Sequence, residues 1–304
     1  MHKPRASVEA LLANIIDYAG LFPPAKLEMG PTVRNYDAYL KSPEQWMLGR
    51  LIVPVSRLAE FETHARQAQG DHNDVAEPWR ISALTAAAEN TDQLATDIAA
   101  IEAFNVRHED GEGLGVIDVI ELKADSVDSI ESALDVVAPD LFPFFEIPVD
   151  RDPRGLIATL VDGDAGAKVR TGGASVPTPG QLAAFIASCG SAHVPFKATA
   201  GLHHPLRHFS TSANMEEFGF LNVFVAGVMA GAGILSEREV CELLAEHSIE
   251  AFEFDERGTR WRAYRLDCAD IAEWRDDFAV SFGSCSFDEP VEDLRRMNLL
   301  PCAT

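Results

Sequence analysis

The 304-residue chain is short of the residues that staple a fold, anchor it in lipid or give it a positive face. Five cysteines stand at Cys189, Cys241, Cys268, Cys285 and Cys302, none of them in a Cys-x-x-Cys pair. An odd, scattered set predicts neither a disulfide framework nor a zinc knuckle, and a reducing, cytoplasmic setting is expected. No uncharged apolar stretch reaches the roughly 18 residues of a membrane-spanning helix. The first segment meets Glu9 and Asp17 before a signal-like run develops, so a soluble, unprocessed chain is expected. Lys and Arg number 25 against 48 Asp and Glu, a formal net charge of −23. That balance argues against a phosphate-backbone binder, which needs a basic face to displace counterions, and against anionic membranes. The acidity is spread along the chain rather than gathered in a tail, and is read as solvation.

What is abundant is apolar sequence, 47% of residues, in an ordered alternation. Short β-rich runs are each followed by a longer stretch with helical spacing, the mark of βα units. The runs are 15–21 (IIDYAGL), 51–55 (LIVPV), 80–85 (RISALT), 116–123 (VIDVIELK), 144–149 (FFEIPV), 167–171 (AKVRT), 194–200 (VPFKATA) and 220–225 (FLNVFV). Eight such units predict an α/β fold, a (β/α)8 TIM barrel, in a single domain over residues 1–304. Thr91 and Thr178 are expected helix N-caps, the second followed by Pro179. Residues 250–304 form either a C-terminal extension or the final βα unit. Residues 251–266 alternate around Arg257-Gly258 as a β-hairpin, and 278–285 (FAVSFGSC) is a competing strand, with residues 288–300 as its helix.

Ionisable residues inside these strands carry the chemical information, because a buried charge is kept only where it is paired or used. They are Asp118, Glu121, Lys123, Glu146, Lys168, Arg170 and Lys197. Alternate residues of a barrel strand point inward, and those near the carboxyl ends line the mouth where chemistry occurs. Two ammonium groups on neighbouring strands disfavour each other's charge, so at least one lysine is expected to titrate nearer neutrality. A neutral lysine attacks carbonyl carbon, and a nearby carboxylate moves the protons of Schiff-base formation.

The same pieces resemble deoxyribose-phosphate aldolase, a class I aldolase family on a (β/α)8 barrel. Lys168-Val169-Arg170-Thr171-Gly172 is similar to that family's Lys-x-x-Thr-Gly motif, and Lys197-Ala198-Thr199-Ala200-Gly201 to its Lys-Ala-x-Gly-Gly. The opening Ile16-Asp17 segment and Ile117-Asp118 resemble its first strand and its strand with the catalytic aspartate. The resemblance spans about residues 14–235 in layout. It implies Lys168 as the Schiff-base lysine, Lys197 as its tuner and Asp118 or Glu121 as the proton shuttle. Arg170, Thr171, Gly172, Thr199, His203, Glu146 and Asn222 are then the substrate-binding set, and no metal or organic cofactor is implied. Asn222-Val223-Phe224 stands where the family has a glycine- and serine-rich phosphate site, so the expected partner is a small, unphosphorylated carbonyl compound. Monomer and homo-oligomer are both left open.

Two other readings compete. His203, Glu146 and Asp150 offer donors for a metal-dependent hydrolase or isomerase, and Lys168, Arg170 and Lys197 offer a non-catalytic site for a small acidic metabolite. Cys285 is a poorer nucleophile, since the neighbouring Asp288 and Glu289 raise rather than lower a thiol.

Overall fold

In the computed structural model, residues 3–69, 78–109, 113–173, 176–211 and 214–301 are described. Eight parallel strands close a barrel: β1 (Ile16–Tyr18), β2 (Leu48–Pro54), β3 (Trp79–Leu84), β4 (Gly115–Lys123), β5 (Phe142–Glu146), β6 (Gly166–Arg170), β7 (Phe196–Thr199) and β8 (Ala279–Ser284). They follow one another round the wall in chain order, and β8 pairs with β1 to close it. The main apolar core lies between this wall and the surrounding helices. Phe196, for example, turns outward from β7 to meet Phe185, Phe224 and Phe278, with ring centroids 5.9, 6.1 and 5.2 Å away.

The expected barrel is therefore present, with one strand reassigned. Residues 220–225 belong to a helix, Phe220–Gly231, and the eighth strand is the competing run near residue 280. The reason is burial. Every residue from Phe220 to Met229 is shielded from solvent, so the helix carries no polar face and its sequence has no 3.6-residue period to betray it. Helix Asp288–Arg296 follows β8, so the chain's end completes the last βα unit.

Between β7 and β8 the chain makes its longest excursion. It includes helices Glu237–Leu244 and Cys268–Asp277 and an antiparallel sheet of Phe252–Phe254, Gly258–Trp261 and Tyr264–Asp267. The first two of those strands are the hairpin expected around Arg257-Gly258; the third extends it. This sheet rests against the amino-terminal helix Ala6–Leu12, where the Ser7 N–H donates to the Asp255 carbonyl at 3.3 Å. Buried Arg275 donates to the carbonyls of Leu11, Ala13 and Val280 at 2.7, 3.0 and 2.7 Å, tying that helix's end to β8.

Local signals act as physical chemistry requires. Thr178 caps helix Pro179–Ala192 reciprocally with Gln181, and Pro179 opens it. The cap of helix Thr91–His108 is Asn90, one residue before the expected Thr91. Among the described residues no helix is long and apolar enough to cross a membrane.

Candidate active site

Four lumen residues form one row across adjacent strands: Lys123 on β4 pairs with Glu146 on β5, Glu146 with Lys168 on β6, and Lys168 with Lys197 on β7. Direct partners in a parallel sheet project to the same side. Two residues below Lys123, Glu121 reaches in between the lysines. Its Oε2 lies 2.8 Å from Lys168 Nζ, and its Oε1 bonds Lys197 Nζ. Each lysine has a second carboxylate, Glu146 at 3.1 Å for Lys168 and Asp17 at 2.8 Å for Lys197. The Ser82 hydroxyl donates to Glu121 at 2.8 Å, the Ser281 hydroxyl to Asp17 at 2.6 Å, and the Arg50 backbone N–H to Asp17 at 2.7 Å. The Phe144 ring faces Lys197 Nζ at 5.3 Å. A barrel interior is usually filled by branched aliphatic side chains. Here its centre is a buried, hydrogen-bonded ion cluster, with Asp17, Glu121 and Lys197 no more than 2% exposed and Lys168 5%.

At Lys197 the cluster works against the expected lowering. Burial alone pulls Lys197 down, but the facing carboxylates of Asp17 and Glu121 outweigh it and raise the ammonium above its ordinary range. Burial pushes Glu121 up, and the two lysines more than offset that, holding it far below the usual carboxylate range. Glu146 is likewise lowered, burial being outweighed by Lys168 and Arg170. A carboxylate stands between the two lysines, so Lys197 is stabilised as a cation rather than neutralised.

The structure joins Lys168, Lys197, Glu121, Glu146 and Arg170, whose Nε donates to Glu146 at 3.1 Å. Thr199 shares the lumen face of β7 with Lys197. Other candidates lie elsewhere or have other work. Asp118 is forked by Arg50 and has Arg80 4.0 Å away near the amino-terminal ends of the strands, so it takes no part in the lysine cluster. A register shift in the β3–β4 pairing, where Ile81 faces Ile117 but Ser82 faces Val119, makes Asp118 the extra residue. Thr171 is fully buried, and its hydroxyl donates to the Ala200 carbonyl at 2.5 Å. Gly172 is where β6 and β7 exit in contact, since a Cβ there would sit 2.6 Å from the Gly201 Cα. Asn222 is buried in its helix, accepting from the Arg207 N–H at 2.8 Å and donating to the Leu243 and Glu246 carbonyls at 2.9 Å, too fully bonded to bind substrate.

The proposed metal set is dispersed. His203 pairs with Glu289 at 3.1 Å, Glu146 serves the lysine cluster, and Asp150 lines a separate cleft of about 750 Å³ with Arg154 and Gln181. Among the described residues no three His, Cys, Asp or Glu side chains are grouped to hold a metal ion. Burial, reinforced by Glu289, raises the Cys285 thiol. Cys302 lies outside the described residues.

Asp17 is a site member that the sequence marks only as part of the first-strand run and of the resemblance to the aldolase family's opening strand. Its signal was the same as for the others, a single carboxylate in an apolar strand run. Tyr18, its neighbour, faces outward and accepts from Asn35 at 3.1 Å. Neither a scan against protein-family models nor a search of curated proteins gives a match to this chain.

Proposed function

We propose that the chain is a class I aldolase-type lyase in which Lys168 forms a Schiff base with a small, unphosphorylated carbonyl compound. The observation that carries this reading is the pair of barrel lysines sharing the two oxygens of Glu121. Lys197 is enclosed by Asp17, Glu121 and Phe144 and held as an ammonium, which suits it to fix charge rather than to attack. Lys168 lies on the side of Glu146 and the half-exposed Arg170, toward the mouth.

In this scheme Lys168 passes a proton to Glu146 or Glu121 and its lone pair adds to the carbonyl carbon. The carbonyl oxygen takes up that proton and a second one given up by the carbinolamine nitrogen, and leaves as water, giving the iminium. A carboxylate then removes a proton from the adjacent carbon, and the enamine attacks an aldehyde. The reverse sequence cleaves that carbon–carbon bond. Lys197 and Lys168 keep Glu121 ionised between proton transfers. The reading requires a small-molecule partner rather than nucleic acid or membrane, and a reducing, cytoplasmic setting suits the free thiols of Cys189, Cys241, Cys268 and Cys285.

Borohydride reduction with a panel of aldehydes and ketones, followed by peptide mapping, tests it. The expected adduct is on Lys168. Lys168→Arg keeps a cation among the carboxylates and is expected to lose the adduct, whereas Lys197→Arg retains it. An adduct on Lys197 alone would reverse the two roles, and the absence of any adduct from a folded protein would sink the reading.

A further inference from the structure

We propose that the substrate is a short oxo acid whose carboxylate is held at the barrel mouth by Lys123 and Arg170. This rests on Lys168 being the Schiff-base lysine, and it names the class of compound that lysine receives.

Lys123 ends β4 and is exposed, and its side chain makes no hydrogen bond or ion pair with the described residues. Its direction is fixed by register. Lys123 is the direct partner of Glu146, and Glu146 turns inward to Lys168, so Lys123 projects into the mouth on the same side. Two strand spacings separate Lys123 from Lys168, about 10 Å between Cα atoms, a gap that two lysine side chains can bridge with a small molecule between them. Arg170 stands two residues beyond Lys168 on the same face of β6. Only its Nε is engaged, on Glu146, leaving the two Nη groups without a partner among the described residues.

Charge supports the choice of ligand. In the carboxyl-terminal half of the lumen the strands supply four cations, Lys123, Lys168, Arg170 and Lys197, against three carboxylates, Asp17, Glu121 and Glu146. The chain as a whole carries −23, so a cationic surplus inside it is a local feature. One surplus cation matches one negative charge, a carboxylate rather than a phosphate dianion. A charge-assisted contact in a partly desolvated mouth is strong enough to select for that group.

The test compares reductive trapping rates on Lys168 for pyruvate, for pyruvamide, which keeps the carbon skeleton without the charge, and for glycolaldehyde phosphate. The expected result is pyruvate trapped about ten-fold faster than pyruvamide, in line with one charge-assisted contact. That ratio should collapse toward one in Lys123→Gln and invert in Lys123→Glu, with folding of both variants checked by circular dichroism. A ratio unchanged by either substitution, or near one in the unaltered protein, overturns the inference while leaving the Schiff base intact. Faster trapping of the phosphate compound overturns the carboxylate assignment. No adduct on Lys168 with any of the three overturns the Schiff-base reading itself, and this inference with it.

Discussion

Glu121 divides its oxygens between Lys168 and Lys197, so removing its charge leaves two buried ammonium groups without the carboxylate between them. Breaking a buried pair by deleting one partner costs about 3–5 kcal/mol. Glu121→Gln is expected to lose stability of that order, measured by urea unfolding near neutral pH; a loss under about 1 kcal/mol would contradict the tightness of the cluster. The same groups set a pH window. Glu121 and Glu146 are lowered in the folded chain, so their contribution is complete above the unfolded carboxylate value of about 4.3 and lost as pH falls through the folded values. Lys197 is raised, so its contribution is complete below about 10.4 and lost as pH climbs through the folded value. Urea midpoints should therefore decline on both flanks of a plateau between about pH 5 and pH 10, with the acid flank shallower in Glu121→Gln. Most of this cluster was legible in the sequence, because an ionisable residue stands out against an apolar strand and period-two alternation assigns its face. Asp118 misled because the register shift in β4 breaks that alternation at Asp118 itself.

At the scale of elements, helix Phe220–Gly231 and the exit of β6 carry the sharpest expectations. Asn222→Leu would leave the Arg207 N–H and the Leu243 and Glu246 carbonyls without their partner, at about 1–3 kcal/mol for each group stranded from water. We expect a loss of at least about 2 kcal/mol in urea unfolding with borohydride trapping on Lys168 retained in the folded protein, which separates a structural asparagine from a substrate-binding one. Gly172→Ala would force a Cβ onto the Gly201 backbone, and the strands must part to admit it. Overpacking of this kind costs about 1–3 kcal/mol, readable as a lowered urea midpoint. The Lys-x-x-Thr-Gly segment thus divides its labour: Lys168 serves the cluster, while Thr171 and Gly172 clasp the neighbouring strand. Sequence alone gave those two residues to the substrate because a motif does not say which atoms its side chains meet. It also read residues 220–225 as a strand, since a helix buried on every side and a buried strand leave the same continuous apolar signature.

For the whole molecule, the βα alternation was enough to predict a barrel, and the closing strand was uncertain because the chain travels through three helices and two small sheets before supplying it. The row Lys123, Glu146, Lys168, Lys197 gives strand register a chemical meaning. Each residue comes from a different strand, and slipping any one of those strands by a single residue turns its side chain out of the lumen toward the helices. On the proposed Schiff-base role, adduct formation at Lys168 is expected to count the molecules whose strands are correctly aligned, and a collapsed chain with native helix content but drifting strands should react far more slowly. Across a urea titration, trapping yield and far-ultraviolet circular dichroism are expected to fall along one curve, and reactive protein persisting after the dichroic signal is lost would break that link. On that proposed role the lysine doubles as a proofreading mark, a covalent tag that a barrel in true register is expected to accept fastest.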